Sequence, residues 1–191
     1  MLRLNPKSTA LVLIDLQKGV LAMPLAPHGA AEVVDNSARL AASLKQAGGV
    51  VAPVHVAFSP DGADRLRQEV DRPNPAAPLP ADWSDFAPQI ASLPADFVIV
   101  KRQWGAFHGT ELDLQLRRRG VDTIVLTGVA TNYGVESTAR EAWQYGYCVV
   151  VAEDAVSSLG EALHKFSIET ILPRIARIRS SAQILAALGA K

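Results

Sequence analysis

The sequence predicts an α/β protein: a three-layer α/β/α sandwich with a mainly parallel six-stranded sheet. Three observations predict it. Six short runs are almost continuously apolar, as strands buried on both faces of a parallel sheet must be. Between them lie segments whose apolar residues recur at helical spacing. The two kinds of run alternate along the chain, which calls for right-handed crossovers and a helical layer on each face. With 191 residues, 49% of them hydrophobic and 20% charged, the chain is read as one domain, residues 1–191, with a large core.

The strand runs are ALVLID (10–15), VVAPVHVAF (50–58), FVIVK (97–101), DTIVLTG (122–128), YCVVVAED (147–154) and RIARIRS (174–180). Residues 30–47 set Val33, Val34, Ala38, Leu40, Ala41 and Leu44 close to one helical stripe, which stops at Gly48–Gly49. In 110–119, Thr110 followed by Asp113 predicts a capping box, and Leu112 and Leu116 share a face. Residues 135–145 gather Val135, Ala139 and Ala142 and stop at Gly146. Further helices are expected at 160–171 and 181–188. The proline-rich segment 71–95 excludes a central strand and a long helix. It is too long for an idle connection and is read as an active-site cover or an oligomer contact.

Acidic and basic residues balance at 19 each, so charge gives no pointer to nucleic acid. The one basic cluster, Arg117–Arg119, suits a helix end, where cations complement the dipole. No apolar run is long enough to cross a membrane. The stretch MLRLNPKSTALVLID has neither the apolar run nor the cleavage site of a secretory signal, and a reducing, cytoplasmic setting is the default expectation. The lone Cys148 excludes an internal disulfide framework and a cysteine-based zinc site. Inside an apolar run, it is read as buried packing.

In open parallel sheets ligands bind beyond the carboxyl ends of the strands. The first strand ends at Asp15, the third at Lys101, and the fourth in the loop Gly128–Tyr133. Singly, a carboxylate there is usually a cap and a lysine is usually solvated. Together at one sheet edge they mark a candidate site. The next helix opens at Gly134, which leaves its N–H donors open to a ligand. Thr131 and Asn132 either border that ligand or simply cap the helix. Trp104 and Phe107 wall a pocket or a subunit interface, or are core aromatics. Tyr133 either points its hydroxyl into the pocket or does not.

IDLQKG (14–19), VKRQWGAFHGTEL (100–112), LTGVATNYGVESTAREAWQYGY (126–147) and EDAVSS (153–158) resemble, in the correct order and over nearly the whole chain, the isochorismatase-like (cysteine hydrolase) superfamily. That resemblance implies the Rossmann-like isochorismatase fold, a homo-oligomer of at least two chains with contacts at 71–95 and around Trp104, and, in amidase members, a triad of Asp, Lys and Cys. Asp15 and Lys101 match the first two, and Gly134 stands at the cysteine position. Glycine cannot form an acyl-enzyme. Cys148 lies fourteen residues on and does not replace the thiol. The candidate catalytic residues are thus Asp15 and Lys101. The candidate substrate-binding residues are Gln17, Trp104, Ala130, Thr131, Asn132, Tyr133 and Gly134.

Nicotinamidases of this superfamily resemble one another in an Asp-x-His pair with a further His after the second strand. Here FSPDGADRLRQEVD has Asp61 and no following histidine. His28, His55, His108 and His164 are scattered and are read as packing or loop residues, so no metal and no cofactor is expected. Isochorismatase proper also carries glycine at the thiol position, and its aspartate works as a general acid on a vinyl ether. By that resemblance Asp15 would donate a proton, Lys101 would orient it and balance charge, and Gly134 would leave room for substrate or water. The expected substrate is small and anionic. The alternatives are a binding or regulatory homologue without catalysis, or a C–N (amide) hydrolase working without cysteine. An ordinary aspartic acid ionises near ~3.9, so acid work near neutrality requires burial to hold its proton against the pull of Lys101.

Overall fold

The computed structural model describes residues 2–73 and 78–189. Its strands are β1 (Thr9–Ile14), β2 (Val50–Val56), β3 (Ile99–Lys101), β4 (Thr123–Val129), β5 (Cys148–Ser157) and β6 (Arg177–Arg179). All neighbouring pairs are parallel, in the order β3-β2-β1-β4-β5-β6. The helices are α1 (Lys18–Leu21), α2 (Ala30–Gln46), α3 (Pro88–Ala91), α4 (Leu112–Arg118), α5 (Glu136–Gln144), α6 (Glu161–Phe166) and α7 (Ser181–Ala187). The sheet is the predicted one, and the predicted helices are present within about two residues at their ends, except that the one expected at 160–171 divides into α6 and a wide helical turn, Ser167–Ile171.

Alternation along β1 assigns the two faces. Leu11 and Leu13 pack with Val33, Leu40, Leu44 and Ile184, under α2 and α7. Ala10, Val12 and Ile14 pack with Leu112, Leu116, Val135 and Ala139, under α4 and α5. All six β1 residues are buried, which is why the run reads as continuously apolar. The capping box expected at Thr110 does not form: Thr110 donates to the Ala106 carbonyl at 2.6 Å, and Asp113 accepts from the Tyr147 hydroxyl at 2.8 Å. A capping box occurs instead at α7, between Ser180 and Gln183.

Cys148 is exposed, not buried. It opens β5, opposite Thr123 at the start of β4, so it stands at the amino ends of the strands. It is far from the candidate loop because of that placement, not because packing hides it. Among the described residues, no helix is long and apolar enough to cross a membrane. The predicted segment 71–95 includes residues 74–77, which lie outside the described residues. Residues 82–85 lie over the start of α1: Lys18 pairs with Asp82 and Asp85, and Trp83 lies against Gly19.

Candidate active site

The chain winds outward from β1 to β2 and β3, then returns to β4 on the other side of β1. That reversal makes the carboxyl ends of β1 and β4 the topological switch point, the usual ligand position in such sheets. Asp15 follows β1 directly. It carries a left-handed backbone, φ 52°, which a non-glycine residue adopts at a cost and which aspartate tolerates better than most. Its N–H donates to the Val54 carbonyl at 2.9 Å, so the turn is anchored to β2.

Lys101 ends β3, two strands away, opposite Val56. Its long stem runs through the interior and its ammonium donates to Asp15 Oδ2 at 2.7 Å. The other two N–H groups are also used, on the carbonyls of Gln103 at 3.1 Å and Trp104 at 2.9 Å. An ammonium has three donors, and all three are satisfied. Asp15 and Lys101 are 6% and 1% exposed. Burial pushes the Asp15 carboxyl up to about 6, even though Lys101 pulls it down. Oδ1 is buried and has no partner within the protein.

The β4 strand leads into a wide helical turn, Thr131–Val135, with Ala130 before it and α5 after it. The Ala130 carbonyl accepts from the Tyr133 and Val135 amides, each at 3.1 Å. Gly134 is buried against β1. A Cβ built there would stand 2.9 Å from Ile14 Cγ2, 3.2 Å from Asp15 Oδ2 and 3.4 Å from the Val129 carbonyl. The vacancy expected beside Gly134 is therefore already taken by Ile14 and Asp15. The absence of a side chain lets the turn close on the carboxyl group, and the Asp15 oxygen left without a partner is Oδ1.

The other expected residues divide. Trp104 is exposed, lies 4.7 Å from the half-buried Tyr133 between ring centroids, and lends Lys101 its carbonyl. The Gln17 amide is fully occupied with backbone: it donates to Val56 and Trp83 carbonyls at 3.0 and 3.2 Å and accepts from the Val56 N–H at 2.8 Å. It fastens β1 to β2 and to the segment over α1, with both N–H donors used and the side chain buried. Thr131 and Asn132 do not cap the turn. Thr131 Oγ1 bonds His164 Nδ1 at 2.9 Å, and Asn132 accepts from the Ser158 hydroxyl. Phe107 is a core aromatic, packed on Tyr145 and Tyr147, and not a pocket wall.

Two residues that sequence reasoning passed over complete the scaffold. Thr138 Oγ1 donates to the Gly134 carbonyl at 2.7 Å and accepts from the Ala106 amide at 3.1 Å. Glu141 accepts from the Phe107 amide at 3.0 Å. Helix α5 thereby holds the Lys101 loop and the Gly134 turn in one register. Nothing in the sequence pattern distinguishes these two from ordinary helix-surface residues. In the region where a nicotinamidase-like metal would be sought, Asp64 instead accepts from Arg102 Nε at 2.5 Å and the Ser59 amide at 2.8 Å. The Arg102 guanidinium holds its carboxyl at about 2. His55 bonds the Ser84 carbonyl at 2.7 Å and His108 is exposed, both as expected. His28 and His164 are not scattered in space: both face Glu153.

Comparison with known proteins agrees with this geometry. The Isochorismatase domain matches residues 9–183. The chain is 53% identical to the isochorismatase family protein YecD of Escherichia coli O157:H7, over 98% of this chain and all of that one. It is 31% identical to the ureidoacrylate amidohydrolase RutB of Pantoea ananatis, over 82% of this chain and 72% of that one. A solved isochorismatase family protein from Burkholderia thailandensis superposes with TM-score 0.94 at 45% identity, covering 99% of both chains. The chain belongs to the isochorismatase family.

Proposed function

We propose that the protein hydrolyses a small anionic molecule and that Asp15 does so as a general acid, with Gly134 in the place where relatives would carry a nucleophilic cysteine. The observation that carries this reading is the Asp15 carboxyl itself: buried, held near 6, anchored through Oδ2 to Lys101 and unpartnered at Oδ1. The chemistry is that of an enol ether. The Oδ1 proton passes to the terminal alkene carbon, and the adjacent carbon becomes an oxocarbenium centre. Water adds to that centre and returns a proton to Asp15. The resulting hemiketal collapses to a ketone and an alcohol. Lys101 touches no reacting atom; it is a positioning residue that fixes Oδ2 and limits how far burial can raise the carboxyl. An anionic substrate close to Asp15 raises it further, so binding itself favours the protonated acid.

The identity to a ureidoacrylate amidohydrolase favours a second reading, C–N bond hydrolysis with water activated by ionised Asp15 as base. The two readings have opposite pH dependence. An acid loses kcat/KM as pH rises through about 6, and a base gains it. Profiles on isochorismate and simpler anionic enol ethers, and on ureido and amide substrates, decide between them. A descending limb on enol ethers that is absent in Asp15→Asn supports the first reading. An ascending limb on amides replaces it with the second. Tight binding without turnover on either panel, unchanged in Asp15→Asn, makes the protein a binding homologue instead. The same reading includes a homo-oligomer, at least a dimer, with the exposed Trp104 among its contacts. A monomer by light scattering at working concentration removes that part.

A further inference from the structure

A second group of titratable side chains lies on the other side of the Thr131–Val135 turn. His28, in the loop before α2, Glu153, in β5, and His164, in α6, bring one ligand atom each to within 4.8 Å of the others. His28 Nε2 is 3.2 Å and His164 Nε2 is 3.7 Å from the same oxygen, Glu153 Oε1. We propose that these three residues bind a divalent transition-metal ion of the zinc class through the two Nε2 atoms and a Glu153 carboxylate oxygen.

Three features of the geometry support the assignment. The first is spacing. Zinc–ligand bonds of about 2.0–2.1 Å in tetrahedral array place neighbouring ligand atoms about 3.3 Å apart, a value that falls between the two separations from Glu153 Oε1, 3.2 and 3.7 Å. The second is the outer partners. Each histidine engages a second group through Nδ1: His28 with Glu32 Oε1 at 3.0 Å, and His164 with Thr131 Oγ1 at 2.9 Å. With an ion bound at Nε2, the Glu32 carboxylate and the Thr131 hydroxyl are placed to accept an Nδ1 proton, the arrangement typical of metal-ligating histidines. The third is support. The His28 loop is tied beside the end of β5 by reciprocal backbone bonds between Ala26 and Ser158, at 2.9 and 3.1 Å. Glu153 precedes Asp154, whose carboxylate accepts from the Ser181 amide and hydroxyl at 2.6 and 2.7 Å. The ligands thus sit on braced elements.

His164 is buried, and that burial pushes its imidazole below the ordinary histidine value, which favours the neutral form a metal requires. Glu153 is partly open, its side chain 38% exposed, so an ion could enter and keep a water in the fourth position. Through Thr131 such an ion would also restrain the turn that carries Gly134. The proposal does not depend on which bond Asp15 breaks.

The test uses full-length protein stripped with a chelator and titrated with Zn²⁺ in a calorimeter. One equivalent is expected to bind, at least tenfold more weakly in His28→Ala and in Glu153→Gln, and unchanged in Cys148→Ser. The two weakened variants alter partly exposed side chains; circular dichroism and the unfolding midpoint confirm that they fold, whereas the buried His164 is left intact. Failure of the wild type to bind, equal affinity in His28→Ala and Glu153→Gln, or loss of binding in Cys148→Ser would overturn the assignment and leave the cluster as a hydrogen-bonded ion pair. None of these readouts requires turnover.

Discussion

Two sets of ionisable side chains flank one five-residue turn, Thr131–Val135. Gly134, near its end, closes on Asp15; Thr131, at its start, holds His164. On the Asp15 side an ammonium with every donor engaged fixes one carboxylate oxygen and leaves the other alone. On the His164 side two imidazoles share a single acceptor oxygen. The difference lies in which atoms remain unused. An unpartnered carboxyl oxygen held near 6 suits proton transfer, whereas two imidazole nitrogens converging on one carboxylate oxygen suit ligation of a cation that takes the place of their protons. Burial serves each differently: it raises the Asp15 carboxyl on one side and lowers the His164 imidazole on the other.

The largest effect separates the two sides outright. Asp15→Asn is expected to lower turnover by about 10²–10⁴-fold, the usual worth of a positioned acid or base, while Zn²⁺ affinity stays that of the wild type. Steady-state rates and calorimetry on the same preparation check this; a loss of zinc binding together with turnover would show that the two sets form one site.

Lys101→Met comes next. Removing one member of a buried pair costs about 3–5 kcal/mol, but the carboxyl left behind can take up a proton, so the cost depends on pH. In the wild type the Asp15 value is raised on folding, from 3.8 to about 6. Its contribution to stability is therefore fully present below 3.8 and lost as pH rises through about 6. Without the lysine the carboxyl is raised further, and the loss continues into the alkaline range. Urea unfolding between pH 5 and pH 9 should show the gap between wild type and variant widening by up to about 1.4 kcal/mol per pH unit. A constant gap would mean that Asp15 ionises the same way with or without its partner.

The same contrast explains what could be read from the chain. β1 and β4 were legible because strands covered on both faces are apolar throughout. β5 was read as ending at Asp154 but runs to Ser157, because Asp154 is a polar strand residue whose carboxylate finds its partner on α7. Asp15, Lys101 and Gly134 were legible as strand ends and motif positions at one sheet edge. Gln17 sits in the same motif, but side-chain direction is set by packing: its amide turned inward to backbone. His28 and His164 come from separate connections with no local spacing to link them, so only the folded chain shows that they meet.

Gly134→Ala tests how closely the turn presses on Asp15. The new methyl would stand 2.9 Å from Ile14 Cγ2 and 3.2 Å from Asp15 Oδ2, so the turn or the carboxylate must move. Overpacking of this kind costs about 1–3 kcal/mol. A displaced Oδ2 also loosens the bond to Lys101, so the pH limb assigned to Asp15 should move upward from about 6. A variant with unchanged stability and an unchanged limb would show that the backbone yields freely there, and that glycine is not what seats the acid.

The smallest effect falls on the link between the two sides. Thr131→Val keeps the shape of the buried side chain and deletes its bond to His164 Nδ1. The direct loss is about 1 kcal/mol of stability. The consequence for ligation is larger, because an imidazole freed at Nδ1 is no longer held in the tautomer and orientation that present Nε2 to Glu153. Outer partners of metal ligands typically account for about 10–100-fold in affinity, so Zn²⁺ should bind at least tenfold more weakly in Thr131→Val, although no ligand has been removed. Calorimetric titration checks it against Glu153→Gln, which deletes a ligand and should weaken binding more. If Thr131→Val binds zinc as the wild type does, the turn only adjoins the histidines, and restraint of Gly134 by a bound ion loses its physical route.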